Sequence, residues 1–440
     1  DAVERGAKVV VMEDDLAMSD SYFMHAGVAK IIVTDSRIAL ALMSAAYYGN
    51  PSARLKLAGV TGTNGKTTTA YLLKSILESR GSKAGLIGTI EYAIGDRIIP
   101  ATHTTPESLE LNSLLAEMAE KGCSAAVMEV SSHALQQNRV HGLAYSAAVF
   151  TNLTQDHLDY HGTMQAYFEA KKSLFEHLHP GSWGIVNLDD EWGSRILDAT
   201  RGRKLTYGIH AAADVRAKDI SLSMKGTTFT IVHAGDETAI DSPLVGRFNV
   251  SNILAAFGTG IALGIPKPAM QQAIRSMKAV RGRFETVASP RGWTAVVDYA
   301  HTPDALEKTL AAVRDLFASG GGGRIITVFG CGGNRDRTKR PRMAHVATGL
   351  SDVTVITSDN PRQEDPERII DEIMTGIRTG ALVYREPDRR EAIVKALGIA
   401  APGDVVLIAG KGHETYQVIG DQKLHFNDRE VVDAIVRSQG

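Results

Sequence analysis

Cysteine is almost absent from this chain, which contains only Cys123 and Cys331 in 440 residues. Neither cysteine belongs to a CxxC motif or a Cys/His cluster, which excludes a disulfide framework and a cysteine-based zinc site and indicates a reducing compartment. No apolar run reaches the roughly 18 residues that a transmembrane helix needs, and no signal peptide precedes the first predicted strand. We therefore expect a cytoplasmic protein without a membrane span.

Net charge is also small, at −2, which gives no electrostatic reason to expect nucleic acid or an anionic membrane as a partner. The apolar share of 44% and the charged share of 22% are those of a globular protein. The length predicts about two or three domains. The chain starts at Asp1 rather than at a methionine, and the strand-like run Val9–Met12 follows almost at once, so we expect the first domain to be incomplete.

Strand and helix patterns alternate along the chain, which indicates βαβ units and an α/β fold with parallel sheets. We expect a partial N-terminal domain at 1–53, a central domain at 54–281 and a C-terminal domain at 282–440. In the first of these, the sequence predicts strands at 9–12 and 31–34, a helix at 38–48 and a linker at 51–54.

The central domain is predicted to combine a parallel sheet with a smaller antiparallel part, in which residues 204–241 form a few antiparallel strands. Its strands are predicted at 57–61, 84–89, 125–130, 146–150 and 183–187, and its helices at 67–80, 107–121, 164–178, 189–199, 251–263 and 267–278. In the C-terminal domain, strands are predicted at 294–299, 324–329, 352–357 and 404–409. Its helices are predicted at 303–317, 366–378, 389–397 and 428–438, with a loop at the glycine run 320–323.

A glycine-rich turn is the most informative motif, with the sequence Gly62-Thr63-Asn64-Gly65-Lys66-Thr67-Thr68, here called the phosphate loop. It joins a predicted strand to a predicted helix, where backbone N–H groups and the helix dipole favour phosphate, and Lys66 adds a positive charge. The Thr67 hydroxyl is placed to bind Mg²⁺. Val60 stands where the general pattern has its first glycine, so the loop is a variant. The motif predicts ATP binding.

Polar residues also follow the next predicted strands. Glu129 ends one strand and is followed by Ser131-Ser132-His133, a position where a carboxylate can hold Mg²⁺ and where a solvated rim residue is the alternative. After the strand that ends at 150, Asp156, His157, Asp159 and His161 lie within six residues. Their spacing leaves a metal or phosphate role and a solvated, helix-capping loop equally open.

The C-terminal domain shows the same arrangement at the ends of three predicted strands. Asp298-Tyr299-Ala300-His301-Thr302-Pro303-Asp304, Asp359-Asn360-Pro361-Arg362 and Gly410-Lys411-Gly412-His413-Glu414 each follow one. Because ligands of α/β sheets bind beyond the carboxyl ends of strands, three such motifs favour a site over three unrelated turns. A basic cluster lies in the loop after strand 324–329, with Arg335, Arg337, Lys339, Arg340 and Arg342; taken alone, it is typical of a solvated loop.

Taken together and in this order, the motifs resemble those of the Mur ligase family of ATP-dependent amide-forming enzymes, over essentially the whole chain. The resemblance implies a three-domain Mur ligase architecture, with a P-loop central domain, a Rossmann-like C-terminal domain and here a truncated N-terminal α/β domain. It also implies a role in cytoplasmic peptidoglycan precursor synthesis. We expect a monomer. In this chemistry, a substrate carboxylate attacks the γ-phosphate of ATP, and an incoming amine then displaces phosphate from the acyl phosphate.

The resemblance assigns catalytic and metal roles by position. Lys66, Glu129, His157 and Lys171 would be catalytic, with Thr67, Glu129, His157 and Lys171 around two Mg²⁺ ions. Lys171 would carry a carbamate, which turns its cation into an anion, and Lys172 is the alternative one residue away. ATP would be held by Gly62, Thr63, Asn64, Gly65, Lys66, Thr67, Thr68, Asn252, Arg283, Asp298 and His301.

Two further sets would bind the substrates. The UDP-N-acetylmuramoyl-L-alanyl-D-glutamate substrate would contact His103, Thr104, Thr105, Ser131, Gln137 and Arg139, although the position of His103 varies in the family. The amino-acid pocket would contain Arg335, Asp359, Asn360, Pro361, Arg362, Gly410 and Glu414. The sequence Asp359–Arg362 is similar to the motif of the members that add meso-2,6-diaminopimelate rather than lysine.

The chemistry of this pocket supports the same choice. Diaminopimelate has a second ammonium–carboxylate centre, on which Arg362 could bind the carboxylate while Asp359 or Glu414 binds the ammonium. With lysine bound, Arg362 would lack its partner, and such an unmet buried group can reject an analogue by about 10⁴-fold.

Two departures from the family and several alternatives accompany this reading. The N-terminal stretch that binds uridine in the family is missing, and Asn334 stands where the family often has Asp. The alternatives are the same ligation with L-lysine, a ligase similar to folylpolyglutamate synthase, a nucleotide-dependent binding protein without ligase activity, and an inactive truncated ligase.

Overall fold

The computed structural model describes residues 1–318 and 322–439, so part of the glycine run predicted as a loop, Gly320 and Gly321, lies outside the described residues. Two large sheets, each with helices on both faces, form most of the protein. Within the described ranges, no helix is both long enough and apolar enough to cross a membrane.

The first residues form a small unit on a two-stranded parallel sheet of β1 (Val9–Met12) and β2 (Ala29–Ile32). It also contains α1 (Asp20–Ala26) and α2 (Ser36–Tyr47). The prediction of both strands and of α2 is confirmed, but α1 was not predicted. The expected linker is instead a 3₁₀ helix, Pro51–Arg54, whose first two residues are buried.

The second unit is an eleven-stranded sheet with the order β13-β12-β11-β10-β9-β8-β3-β7-β4-β5-β6. Its strands are β3 (Lys56–Thr61), β4 (Lys83–Ile87), β5 (Glu91–Ile94), β6 (Arg97–Pro100), β7 (Cys123–Glu129), β8 (Ala147–Phe150), β9 (Trp183–Asn187), β10 (Arg203–Gly208), β11 (Val215–Ser223), β12 (Gly226–His233) and β13 (Asp236–Ser242). Its helices are α3 (Lys66–Glu78), α4 (Ser108–Glu120), α5 (Ser132–Gln136), α6 (Leu158–His161), α7 (Met164–Glu176), α8 (Gly193–Ala199), α9 (Arg247–Ala262) and α10 (Lys267–Arg275).

The centre of this sheet is parallel and buried on both faces. In β3, Leu57 belongs to the core on one face, while Ala58 and Val60 belong to the core on the other. Burial on both faces explains why the strand sequences are continuous apolar runs. The predicted antiparallel part is confirmed for β11, β12 and β13, but β10 pairs in parallel with β9 and β11, and the antiparallel strands β5 and β6 were missed.

The third unit is a six-stranded sheet with the order β14-β15-β19-β16-β17-β18, followed in sequence by a separate hairpin. Its strands are β14 (Glu285–Ala288), β15 (Thr294–Asp298), β16 (Ile325–Phe329), β17 (Val353–Ile356), β18 (Val383–Arg385) and β19 (Val405–Ala409), and the hairpin is β20 (Tyr416–Ile419) and β21 (Gln422–His425). Its helices are α11 (Pro303–Ala318), α12 (Lys339–Leu350), α13 (Pro366–Met374), α14 (Arg389–Gly398) and α15 (Asp428–Gln439).

The basic cluster after β16 needs a correction, because a solvated loop was expected throughout. Lys339, Arg340 and Arg342 lie on α12, which was not predicted. Arg340 is fully buried, and its Nη1 donates to Glu364 and Glu372 at 2.9 and 2.8 Å. Paired carboxylates therefore replace solvent around this guanidinium.

A buried ion pair joins α14 to α15 beneath the end of the third sheet. Arg389 donates from Nε and Nη2 to the two Asp428 oxygens at 2.8 and 2.7 Å, and both side chains are fully buried. The same guanidinium also donates to the carbonyl oxygens of Ser358 and Ala409, at the ends of β17 and β19. It thereby holds the two strand ends together.

Replacing Asp428 with alanine should therefore leave an uncompensated buried cation and lower the free energy of unfolding by about 3–5 kcal/mol. The measurement is urea-induced unfolding followed by circular dichroism. Asp433→Ala is the matched control on α15, since Asp433 pairs with Arg429 near the surface, and it should cost less than about 1 kcal/mol. Equal effects of the two changes would contradict the structural role of the buried pair.

Candidate active site

The phosphate loop follows β3 and leads directly into α3, and it faces a cleft of about 580 Å³. Gly62 and Gly65 have φ values of 150° and 85°, which disfavour other residues. A Cβ on Gly62 would lie 1.8 Å from Thr151 Oγ1, and one on Gly65 would lie 2.4 Å from Asn252 Oδ1. Glycine is thus required for conformation and for space, and the free N–H groups of α3 are left facing the cleft.

The Lys66 amine lies over its own loop. Its Nζ donates to the carbonyl oxygens of Gly62 and Thr63, each at 2.9 Å. Burial lowers the pKa of Lys66, while the nearby carboxylates of Glu129 and Asp156 act in the opposite direction. The Lys66 amine is thus held beside the helix N-terminus, where phosphate is favoured.

Oxygen ligands meet where β3, β4 and β7 end. The buried Glu129 carboxylate accepts hydrogen bonds from the Thr67 hydroxyl at 3.0 Å and from the Thr89 backbone N–H at 2.9 Å. The Thr89 hydroxyl donates to the same carboxylate at 3.1 Å. A Cβ on Gly88 would lie 2.6 Å from Glu129, so the chain approaches the carboxylate closely there.

This group of oxygens fits Mg²⁺, which often takes one or two protein ligands and completes its shell with phosphate and water oxygens. Among the described residues, no group of three or more His, Cys, Asp or Glu side chains could hold a metal by itself. Any ion here would therefore depend on the hydroxyl of Thr67 and on oxygens that the substrates bring.

His157 lies across the cleft in the left-handed conformation, with φ of 54°, directly before α6. Desolvation lowers its pKa to about 4, against the attraction of Asp156, whose Oδ2 lies 3.4 Å from His157 Nε2. The His133 ring packs edge-on at 4.9 Å between centroids. The imidazole is therefore neutral near pH 7, the form in which histidine binds metals.

Lys171 and Lys172 are adjacent on α7, but their surroundings are opposite. Lys171 is 1% exposed, and its Nζ donates to Gly62 O at 2.9 Å and lies 4.6 Å from the centre of the Tyr167 ring. Burial, and next the charge of Lys66, lower the pKa of Lys171 well below its ordinary value. Lys172 instead forms surface ion pairs with Glu169 and Glu176, which raise its pKa.

The third unit reaches the phosphate loop directly. Arg283 Nη2 donates to Thr67 Oγ1 at 3.2 Å, while its buried Nε has no partner among the described residues. Asn64 Nδ2 donates to Asp304 Oδ2 at 2.7 Å. Asp304, at the start of α11, also accepts from Thr154 at 2.9 Å and pairs with Lys308 at 3.0 Å. The cleft is thus closed by groups from both large sheets.

The remaining residues predicted to bind ATP also lie in this cleft, but their side chains already form hydrogen bonds within the protein. The Asp298 carboxylate accepts from the backbone N–H groups of Phe284 and Ala300, and burial raises its pKa. Asn252 donates to Asn249 at 2.9 Å, and the backbone oxygen of Tyr299 lies 2.9 Å from His301 Nδ1. Asp298 thus shapes the wall, while Asn252 and His301 border the space.

Of the residues expected to bind the muramoyl peptide, only some line the cleft. Thr104 and Ser131 line the cleft. Thr105 is buried, where its hydroxyl donates to Glu129 O and accepts from Ser131 N. His103 is exposed, and its backbone N–H is held by the Tyr92 hydroxyl at 3.1 Å.

Gln137 and Arg139 contact each other beside the segment of Thr104 and Thr105. Gln137 Oε1 accepts from Arg139 Nε and Nη2 at 2.9 and 2.6 Å, and Arg139 Nη1 donates to Thr105 O. Glu107 completes the charge balance at 2.9 Å from Arg139. These two residues lie beyond the lining of the cleft and hold the segment that carries Thr104 and Thr105.

The predicted amino-acid residues gather separately, at the ends of β16, β17 and β19. Arg362 has φ of 54°, and its backbone pairs with the hairpin strand β20, donating to Val418 O at 3.0 Å. Its Nη1 donates to Gly333 O at 2.8 Å. Gly410 approaches Asp359 so closely that a Cβ on Gly410 would lie 2.8 Å from Asp359 Oδ2. Arg335 is exposed beside them, and Pro361 is buried.

Several residues at these sites were missed by the sequence analysis. Thr89 ended a predicted strand, so the strand-end rule that selected Glu129 could have found it. Lys411 lay inside a quoted motif but received no role. Asp189, Asp190, Arg247, Phe248 and Lys308 line the far part of the cleft. Asp189 and Asp190 follow the predicted strand 183–187, so the strand-end rule could also have found them. No local pattern marks Arg247, Phe248 or Lys308, which come together only when the two sheets meet.

Gly62→Ala should weaken ATP binding by about 100-fold, because the added Cβ would displace the loop by an ångström or more. The measurement is titration with a fluorescent ATP analogue. Gly81→Ala is the control, since Gly81 has a similarly unfavourable φ of 80° but open space around its Cβ. A normal affinity of the Gly62 variant would contradict the close approach to Thr151.

Comparisons with known proteins agree with this geometry. A model of the Mur ligase middle domain matches residues 60–260, and a model of the Mur ligase glutamate ligase domain matches residues 282–412. The solved structure of a UDP-N-acetylmuramoyl-L-alanyl-D-glutamate–2,6-diaminopimelate ligase is similar with a TM-score of 0.69 and 34% identity, covering 100% of this chain and 88% of that one.

Two curated relatives carry the same enzyme name. The protein of Geobacillus thermodenitrificans (strain NG80-2) is 47% identical over 445 residues, which cover 100% of this chain and 88% of the relative. The protein of Clostridium botulinum (strain ATCC 19397 / Type A) is 44% identical over 438 residues, which cover 99% of this chain and 88% of the relative. With this similarity along its length and this arrangement of sheets and phosphate loop, the chain has the Mur ligase fold and belongs to the Mur ligase family.

Proposed function

We propose that this chain is an ATP-dependent ligase of cytoplasmic peptidoglycan precursor synthesis. It joins meso-2,6-diaminopimelate to the glutamate carboxylate of UDP-N-acetylmuramoyl-L-alanyl-D-glutamate. Relatives at 44–47% identity bear the name of this activity. We further propose the domain division 1–53, 54–281 and 282–440, in which ATP binds between the second and third domains and the amino acid binds to the third.

One observation supports the choice of amino acid most directly, the pairing of opposite free charges beside β17. Arg362 uses only Nη1 for hydrogen bonds within the described residues, so Nε and Nη2 remain for a carboxylate. The Asp359 carboxylate likewise accepts no hydrogen bond from them, and its oxygens keep some solvent access although the residue is buried. One cation and one anion match the second ammonium–carboxylate centre of diaminopimelate.

Burial strengthens this preference. Arg362 is half-buried, and its desolvation, followed by the charge of Arg335, lowers its pKa. A guanidinium in this environment gains from a bound carboxylate and loses when none is supplied. L-Lysine has no carboxylate at that end, so we expect the enzyme to discriminate strongly against it.

The cleft explains how the substrate carboxylate would attack the γ-phosphate of ATP, release ADP and become an acyl phosphate. The phosphate loop N–H groups, Lys66 and Arg283 surround the position of the ATP phosphates and stabilise the charge that develops during phosphoryl transfer. Asn252 and His301 border the nucleotide. Thr67 and Glu129 would hold one Mg²⁺, and His157 with the carbamate of Lys171 would hold a second; such ions would neutralise phosphate oxygens. The amine of the amino acid then attacks the acyl phosphate carbonyl and displaces phosphate.

We also propose that Lys171, rather than Lys172, carries a carbamate. Carbamylation requires a neutral amine that attacks CO₂, loses a proton and forms an N–C bond. The lowered pKa of Lys171 supplies the neutral amine, and the adjacent Lys66 compensates the anion that forms. Lys172 has a raised pKa and two carboxylate partners, which keep it protonated.

The test of the proposed function is phosphate release with ATP, Mg²⁺ and UDP-N-acetylmuramoyl-L-alanyl-D-glutamate, comparing meso-diaminopimelate with L-lysine. We expect release that depends on diaminopimelate and a kcat/KM for L-lysine lower by about 10⁴-fold. Preference for L-lysine would keep the ligase but reject our assignment of Arg362. Release without any amine dependence would favour a nucleotide-dependent binding protein or an inactive ligase.

Arg362→Ala should raise the KM for diaminopimelate by about 100-fold or more through loss of the charged pair, and leave the KM for ATP unchanged. Steady-state kinetics with each substrate varied in turn measures both. Arg385→Ala is the control, since Arg385 pairs with surface carboxylates of the same sheet unit. An equal rise in both KM values would mean that Arg362 supports the fold or the nucleotide instead.

Lys171→Ala should reduce kcat by at least about 100-fold, and added bicarbonate should not restore it, because no amine remains to modify. The neighbouring variant Lys172→Ala should keep its activity. Mass spectrometry of the native protein in ¹³C-bicarbonate, after trapping of the carbamate, should place the label on Lys171. Label on Lys172, or full turnover of Lys171→Ala, would contradict the assignment.

A further inference from the structure

Lys411 is a fully buried cation at the end of β19, and no step proposed above uses it. Its Nζ donates to Asn360 Oδ1 at 3.1 Å and to Glu414 Oε2 at 3.0 Å. These partners come from two different loops, the one after β17 and the one after β19. A buried lysine is costly unless it is paired, so the arrangement depends on both contacts.

The group around Lys411 is almost completely satisfied from within. Asn360 Oδ1 also accepts from the Val418 backbone N–H at 3.0 Å, and Asn360 Nδ2 donates to Glu414 Oε2 at 2.9 Å. Both ends of the Asn360 amide are therefore engaged with protein atoms. Its part in the pocket is to connect Lys411, Glu414 and the hairpin strand β20.

One oxygen of this group is different. Glu414 Oε2 accepts from both Lys411 and Asn360, whereas Oε1 accepts no hydrogen bond from the described residues. The Glu414 side chain is 16% exposed, and Oε1 is accessible to solvent. Two donors on one oxygen fix the rotation of the carboxylate and direct the other oxygen outward.

We propose that Lys411 is a positioning residue for the amino-acid substrate. It anchors Glu414 through Oε2, so that Oε1 faces the ammonium of the incoming amino acid, and it joins the loop of Asp359–Arg362 to the loop of Gly410–Glu414. Its own amine is buried and does not contact the substrate. The inference rests on the proposed function, because it gives the same pocket a further residue.

Two substitutions separate the charge of Lys411 from its hydrogen bonds. Lys411→Gln removes the charge but keeps a donor for Glu414, whereas Lys411→Met removes both and keeps a similar length. We expect the KM for diaminopimelate to rise by about 10- to 100-fold in Lys411→Met, as for a lost charge-assisted hydrogen bond, and by less in Lys411→Gln. The KM for ATP should stay unchanged, because Lys411 does not line the cleft around the phosphate loop.

The matched control is Lys423→Met. Lys423 is exposed and lies 3.7 Å from the centre of the Tyr416 ring, which Lys411 also approaches, at 5.8 Å. Within the described residues, Lys423 forms no hydrogen bond with Asn360 or Glu414, so loss of its amine should leave every KM unchanged. If Lys411→Met does not fold, Lys411→Gln gives the same comparison with a smaller perturbation.

A double-mutant cycle with Glu414→Gln distinguishes positioning from a general structural role. If Lys411 acts through Glu414, Lys411→Gln should add little to the KM effect of Glu414→Gln. Fully additive effects, equal changes in the KM values of ATP and diaminopimelate, or an unchanged KM in Lys411→Met would each overturn the inference. Wild-type protein without amine-dependent phosphate release would instead reject the proposed function, so the two failures are distinguishable.

Discussion

Two lysine amines share one backbone oxygen, and the site depends on how this conflict is resolved. Lys66 and Lys171 each place Nζ 2.9 Å from Gly62 O, in a partly closed cleft where like charges repel strongly. Burial lowers the pKa of both amines, and the pKa of the more deeply buried Lys171 lies well below its ordinary value. The fold therefore favours the neutral form of Lys171, the form in which we propose that it reacts with CO₂.

The same loop is also where the two large sheets meet. Asn64 donates to Asp304 and Thr67 accepts from Arg283, so the segment suited to phosphate also holds the third unit in place. Any change in the position of Gly62–Thr68 would alter both contacts. This arrangement couples the nucleotide end of the cleft to the sheet that carries the amino-acid pocket, without a separate connecting element.

Sequence reasoning recovered the features that local chemistry determines, namely the phosphate loop, the apolar strands and the polar strand ends. It missed β5, β6 and the β20–β21 hairpin, because these strands are too short for a clear alternation of apolar and polar residues. It also missed α12, because the arginines and Pro341 at its start are not typical of a helix, although a helix tolerates proline in its first turn. Local sequence did not separate Lys171 from Lys172, and only the resemblance placed the carbamate on Lys171. In the structure they differ in burial, in the contact of Lys171 with Gly62 and in the surface ion pairs of Lys172.

Buried charges also account for the selectivity that we propose for the amino-acid pocket. Beneath it, Arg389 is matched by Asp428, Arg340 by two glutamates, and Lys411 by Glu414. Because these cations form ion pairs within the protein, they fix the loops without competing for the substrate. Within the described residues, Arg362 Nε and Nη2 and the Asp359 carboxylate form no hydrogen bond. Recognition then depends on whether a ligand supplies both charges, and a ligand with only one leaves the other desolvated and unmatched.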